Sequence, residues 1–213
     1  SYIKKFGPEK TIERLNTLSS QFGTCHEVAH KAGRISYQLY GGDSFQKCSS
    51  LCHSGCYHAA TESYFKEHGT ANLASDLDLL CNDQLNSFFN HQCVHGIGHG
   101  LMAWSNYDLK KALNSCELLT QGKDSCFSGA FMENIVAGLA DEKDHFSFYL
   151  NNDPQFPCNI VEEKYKTNGY FMQTSRMLQL FGVDFGKVAE GCNNAPSIYQ
   201  GICFESMGRD VGG

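Results

Sequence analysis

Proline is scarce in this sequence, with four in 213 residues, and no stretch alternates apolar and polar residues over the length of a strand. The first shortage leaves helices uninterrupted, and the second leaves little material for a sheet. No apolar run approaches the roughly eighteen residues that a membrane span requires, and mean hydropathy is −0.35. Basic charge is in deficit too: 17 Lys and Arg stand against 23 Asp and Glu, for a net charge of −6. With no Lys/Arg cluster or basic aromatic stripe, nucleic acid is a poor expectation as a partner. The opening Ser1-Tyr2-Ile3-Lys4-Lys5 is not followed by an apolar segment, so it does not read as a signal peptide. The expectation is a mature, exported form, with residues 1–213 as one domain.

Cysteine, by contrast, is abundant. Eleven cysteines are several times ordinary usage, a load that reducing compartments carry mainly as metal knuckles. Structural zinc calls for closely paired CxxC or CxxH ligands, and the pairs Cys48/Cys56, Cys81/Cys93, Cys116/Cys126 and Cys192/Cys203 are spaced too widely for that. Disulfides are the reading, and with them an extracytoplasmic location: secreted, periplasmic or cell-surface. Cys25 and Cys52 are left to pair with each other or with a neighbour, and Cys158 lacks a partner because Tyr170 stands in the slot opposite it.

The second cysteine of each pair opens a recurring block: Cys56-Tyr57-His58, Cys93-Val94-His95-Gly96, Cys126-Phe127-Ser128-Gly129 and Cys203-Phe204-Glu205-Ser206. Cys25-His26-Glu27 adds a fifth and Tyr170-Phe171-Met172-Gln173 a sixth, so that starts at 25, 56, 93, 126, 170 and 203 are separated by 31, 37, 33, 44 and 33 residues. That period suits a two-helix repeat. Between blocks, Leu77, Leu79 and Leu80, then Leu109, Ala112, Leu113 and Leu118, recur at the spacing of amphipathic helices. Each repeat is therefore expected to be a helix A, a cysteine near its end, a loop, and a second cysteine in the first turn of helix B. Thr24 and Glu27 form a capping box, Asp124 and Ser125 precede Cys126, Pro8 and Pro196 suit first turns, and Gly41-Gly42 and Gly69 are stops. The fold class is all-α, built of disulfide-stapled two-helix repeats as a solenoid or closed toroid. It resembles tetratricopeptide-type repeat proteins in period and helical pairing, without their Trp and Gly-Tyr signature.

Histidine supplies the functional signal. His26 and His30 are four residues apart, as are His95 and His99, and His58 stands four before Glu62, so each pair shares one helical face one turn apart. Glu133 occupies nearly the corresponding place in the next B helix. Stacked repeats would bring His26, His30, His58, His95, His99, Glu62 and Glu133 to one axis. Neutral imidazole with carboxylate is borderline-hard ligation, suited to iron, zinc, manganese or copper, and the count exceeds the four ligands of one tetrahedral zinc. Gly96, Gly98 and Gly100 flank two of these histidines in a helix that each weakens by about 1 kcal/mol relative to Ala. Close approach to a neighbour or a ligand would explain them. Of the remaining histidines, His68 and His145 read as solvated, and His53 and His91 as structural.

Two shorter motifs compete. His26-Glu27-Val28-Ala29-His30 is a literal HExxH and resembles the zincin metallopeptidases, in which the histidines bind zinc and the glutamate polarises water. It departs from them in its first-turn position, in Ser36 where metzincins place a third histidine, and in the parallel His95–His99 pair, which lacks the glutamate. Cys48-Ser49-Ser50-Leu51-Cys52-His53 resembles a c-type haem attachment with one extra intervening residue. The ligand inventory as a whole resembles hemerythrin-type di-iron centres. The expected function is a non-haem metal-dependent oxidoreductase, with iron first and zinc or copper after it, acting on dioxygen, peroxide or a small nitrogen compound such as hydroxylamine. Tyr37, Tyr57, Tyr170 and Phe131 would line its pocket, and a redox protein would be its partner. A zinc peptidase at His26–His30 and a non-catalytic scaffold that binds protein or metal are the alternatives.

Overall fold

The computed structural model describes residues 2–22, 25–49, 51–52, 54–81, 87–136 and 147–212, and every regular element among them is helical. In chain order these are α1 (Tyr2–Phe22), α2 (His26–Tyr40), a 3-10 turn at Gly41–Asp43, α3 (Ser44–Lys47), α4 (Gly55–His68), α5 (Leu73–Leu80), α6 (Ser87–Trp104), α7 (Leu109–Cys116), α8 (Lys123–Val136), α9 (Glu163–Phe181), α10 (Phe185–Asn193) and α11 (Ser197–Gly212). None of the described helices is long and apolar enough to cross a membrane.

The long helices pack in sequence order, α2 on α4, α4 on α6, α6 on α8, α8 on α9 and α9 on α11, with short α7 and α10 each set against the two long helices they connect. Disulfides fasten the short helices to the long ones. Cys48–Cys56, Cys81–Cys93, Cys116–Cys126 and Cys192–Cys203 all form as the spacing predicts, and Cys25 pairs with Cys52. Five such bonds are consistent with an extracytoplasmic chain. They also overturn the haem reading, because both Cys48 and Cys52 are consumed; His53 lies outside the described residues. Cys158 is free and buried, and its thiol donates to Gln173 Oε1 at 3.3 Å.

Helix ends follow local chemistry. Gly41 and Gly69 stop α2 and α4 with φ of 56° and 68°, conformations that cost glycine least. The Asp108 and Asp184 side chains cap α7 and α10 by accepting backbone N–H groups. Helix starts follow the repeat scheme at α4 and α8, where Cys56 and Cys126 lie in the first turn, and differ from it at α6 and α11. α6 begins at Ser87 and α11 at Ser197, so Cys93 and Cys203 lie well inside their helices, and His95 and His99 sit mid-helix rather than in a first turn. α8 begins at Lys123, which places Asp124 and Ser125 inside it. A disulfide needs only the flank of a helix, so the second cysteine does not mark the helix start. Cys25 is the N-cap of α2 and makes no side-chain cap; Thr24 and the Glu27 side chain lie outside the described residues.

Glycine sets the spacing of the long helices. A Cβ on Gly98 would lie 2.1 Å from the Cys126 carbonyl oxygen, and one on Gly129 would lie 2.0 Å from that of His95. α6 and α8 therefore meet backbone to backbone, and residues 96–100 are continuous helix rather than loop. Two apolar clusters result, a larger one that runs from α1 into α9 and a smaller one that joins Tyr170, Met177, Val188, Tyr199 and the Cys192–Cys203 bond.

Candidate metal centre

Three helices bring the histidines together. His26 opens α2, His30 follows one turn later, His58 is in the first turn of α4, and His95 and His99 lie on the inner face of α6. His30, His58, His95 and His99 are buried, with 6%, 3%, 8% and 3% of their surface exposed. Ring follows ring across the cluster: centroids are 4.5 Å apart for His26–His30, 5.3 Å for His26–His58, 5.5 Å for His30–His58, 3.7 Å for His58–His99 and 4.9 Å for His95–His99.

Hydrogen bonds orient several rings. Cys52 and Ser54, non-glycine residues with φ of 56° and 58°, form a left-handed turn before α4. Backbone of this kind gathers at functional sites. The Cys52 carbonyl oxygen lies 3.0 Å from His26 Nδ1; a carbonyl can only accept, so Nδ1 carries a proton, and Nε2 lies 3.1 Å from His30 Nε2 in a second ring-to-ring contact. On α6, His99 Nδ1 lies 2.6 Å from Glu133 Oε2 and its Nε2 faces His95 Nε2 at 3.1 Å. A ring N–H given to a carboxylate or carbonyl, with the other nitrogen turned toward a neighbouring imidazole, matches the outer-shell support of metal-ligating histidine.

His58 is the anomaly. Neither ring nitrogen has a hydrogen-bond partner, although buried polar groups are almost always satisfied and an unpaired one costs about 1–3 kcal/mol. One nitrogen each from His26, His30 and His58 lie within 4.8 Å of one another, a set able to hold an ion. Two imidazoles on one ion, with nitrogens about 2.1 Å from it and ring centres about 1.1 Å beyond, have centroids about 4.5–5.5 Å apart for angles between about 90° and 120°. All three centroid separations in this set fall there.

Burial, followed by the neighbouring His99, His30, His26 and His95, holds His58 well below the ordinary histidine range. Burial also lowers His95 well below that range and takes His99 down to about 3, with His26 adding to it. The neutral imidazole that ligates metal is thus the prevailing form at neutral pH.

Glu133 belongs to the cluster through His99, but Glu62 does not join it. Its carboxylate is held by Arg34 at 3.0 Å and by Lys66 one turn along α4, so Arg34 from α2 takes up the charge that the register assigns to a ligand. The expected aromatic lining is core instead. Tyr37 packs against Phe45 and Tyr64, the Tyr57 hydroxyl donates to the Cys48 carbonyl, Tyr170 stacks on Tyr199, and Phe131 is buried in the larger cluster. His68 is half-exposed against Tyr64, and His145 lies outside the described residues. His91 continues the α6 row, its centroid 6.0 Å from His95. The spacing His91, His95, His99 carried that signal, since i, i+4 and i+8 share a helical face.

Set against known protein families, characterised proteins and solved structures, the chain matches none of them.

Proposed function

We propose that the chain is an extracytoplasmic metalloprotein, a disulfide-stapled array of two-helix units that holds a non-haem metal ion at His26, His30 and His58. The observation that carries this is His58, whose two buried and unpartnered ring nitrogens make little sense in a purely structural residue beside two further imidazoles. Three imidazole ligands leave at least one coordination position for a small molecule. We infer a redox role for it, on dioxygen, peroxide or a small nitrogen compound, with iron as the first metal and copper or zinc after it. Electrons would come from a separate redox protein.

A zinc hydrolase is the second reading, because the same three imidazoles equal the ligand number of catalytic zinc sites and two of them belong to the HExxH. Metal analysis with an optical spectrum separates the two. Tightly held iron in stoichiometric amount, lost in His58→Ala, supports the oxidoreductase. Zinc together with peptidase turnover that Glu27→Gln abolishes supports the hydrolase, and a folded chain that binds no metal contradicts both.

A further inference from the structure

We propose that the histidine cluster holds two ions, the second lying between the Nε2 atoms of His95 and His99 with His91 as its outermost ligand. The inference rests on the reading of His26, His30 and His58 as the first position.

Tautomers on α6 lead there. A carboxylate accepts, so the Glu133 contact at 2.6 Å fixes the proton of neutral His99 on Nδ1 and leaves a lone pair on Nε2. His95 Nδ1 has no hydrogen-bond partner, so a neutral His95 can carry its proton there and turn a second lone pair on Nε2 toward the same point. Without an ion the two Nε2 atoms, 3.1 Å apart, share one N–H···N hydrogen bond; with an ion between them both lone pairs converge on it. Two nitrogens each about 2.1 Å from one ion are about 3.0–3.4 Å apart at angles of about 90–109°. The centroid distance of 4.9 Å fits the same ion.

That ion is not the one His58 holds. An imidazole carries its ligand in the plane of its ring, and the His58 and His99 planes are parallel to within 9° with centroids 3.7 Å apart. Parallel stacked planes do not meet, so the two rings serve different positions on either side of the stack. His91 lies one turn toward the start of α6, exposed, with Nδ1 2.6 Å from Ser125 Oγ. Turning from that serine gives the second position a third imidazole and a route to solvent. Imidazole ligands of this kind suit divalent first-row ions. Binding involves no electron transfer: both imidazoles stay neutral, the His95 proton moving from Nε2 to Nδ1 as the ion enters.

The test is titration of the full chain, stripped with a chelator, with Co2+ as a visible-spectrum probe. Two equivalents are expected. His95→Gln should retain one, His58→Leu should retain the other, and His91→Ala, at an exposed ring that folding does not need, should weaken only the second by about 10-fold. A single equivalent unchanged in both His95→Gln and His91→Ala overturns the second position and leaves the first standing. A single equivalent lost alike in His58→Leu and His95→Gln overturns it in favour of one shared ion. No Co2+ bound by the folded chain removes both positions.

Discussion

His58 and His99 stack face to face, 3.7 Å between centroids and 9° between planes, at the seam where α4 meets α6. The stack joins the α2–α4 histidines to the α6 histidines in one continuous row, yet the parallel planes of His58 and His99 do not converge on one point. His58 gains a packing surface from it but no hydrogen bond. The fold thus keeps a buried imidazole whose nitrogens nothing in the described chain satisfies, the condition under which a bound ion contributes most.

That condition implies a trade between stability and binding. His58→Leu removes two unsatisfied buried nitrogens and keeps an apolar body in the site. The metal-free variant should be more stable than metal-free wild type by about 1–3 kcal/mol in urea unfolding, while losing the first metal. A variant less stable than wild type would mean that His58 has a polar partner.

The two glutamates should differ. Glu133→Gln weakens the orientation of His99 and should lower metal affinity by about 10- to 100-fold, as outer-shell carboxylates do. Glu62→Gln should leave affinity unchanged, because its carboxylate serves Arg34 and Lys66. Competition against a chelator of known affinity measures both.

Close helix approach makes glycine indispensable between α6 and α8. Gly98→Ala and Gly129→Ala put a methyl group against a carbonyl oxygen and should each cost about 1–3 kcal/mol or more, and they should loosen metal binding by moving His95. Gly201→Ala, where an added Cβ meets nothing within 4 Å, is the control and should be neutral or stabilising by denaturant unfolding.

Stability of the metal-free chain should fall on acidification. The folded pKa values of His58, His95 and His99 lie below the ordinary 6.5, that of His99 at about 3, so below 6.5 the unfolded chain binds protons that the folded one refuses. Their contribution is complete above about pH 6.5 and declines toward pH 3, by up to about 1.4 kcal/mol per pH unit for each histidine. Urea midpoints measured between pH 4 and pH 8 check the slope, and excess metal should steepen it because ligands must be deprotonated.

Much of this architecture is legible in the sequence, because cysteine spacing and i, i+4 repetition are local signals. The bonds from Cys81 to Cys93, Cys116 to Cys126 and Cys192 to Cys203, the stops at Gly41 and Gly69, and the grouping of His26, His30, His58, His95 and His99 can be read from it. The starts of α6 and α11 cannot be read this way, since the disulfides anchor these helices along their flanks. Diversion of Glu62 to Arg34 depends on a residue one helix away, which spacing within α4 does not encode. The stacking of His58 on His99 is a matter of ring orientation, and no sequence period specifies that.

X-ray absorption on the purified chain, with total metal measured on the same sample, bears most directly on the central claim. The account predicts bound first-row metal surrounded by nitrogen at about 2.0–2.2 Å with the outer-shell scattering of imidazole, and loss of part of that signal in His58→Leu. A folded chain with all five disulfides and no bound metal, or metal whose surroundings are unchanged in His58→Leu, would contradict it.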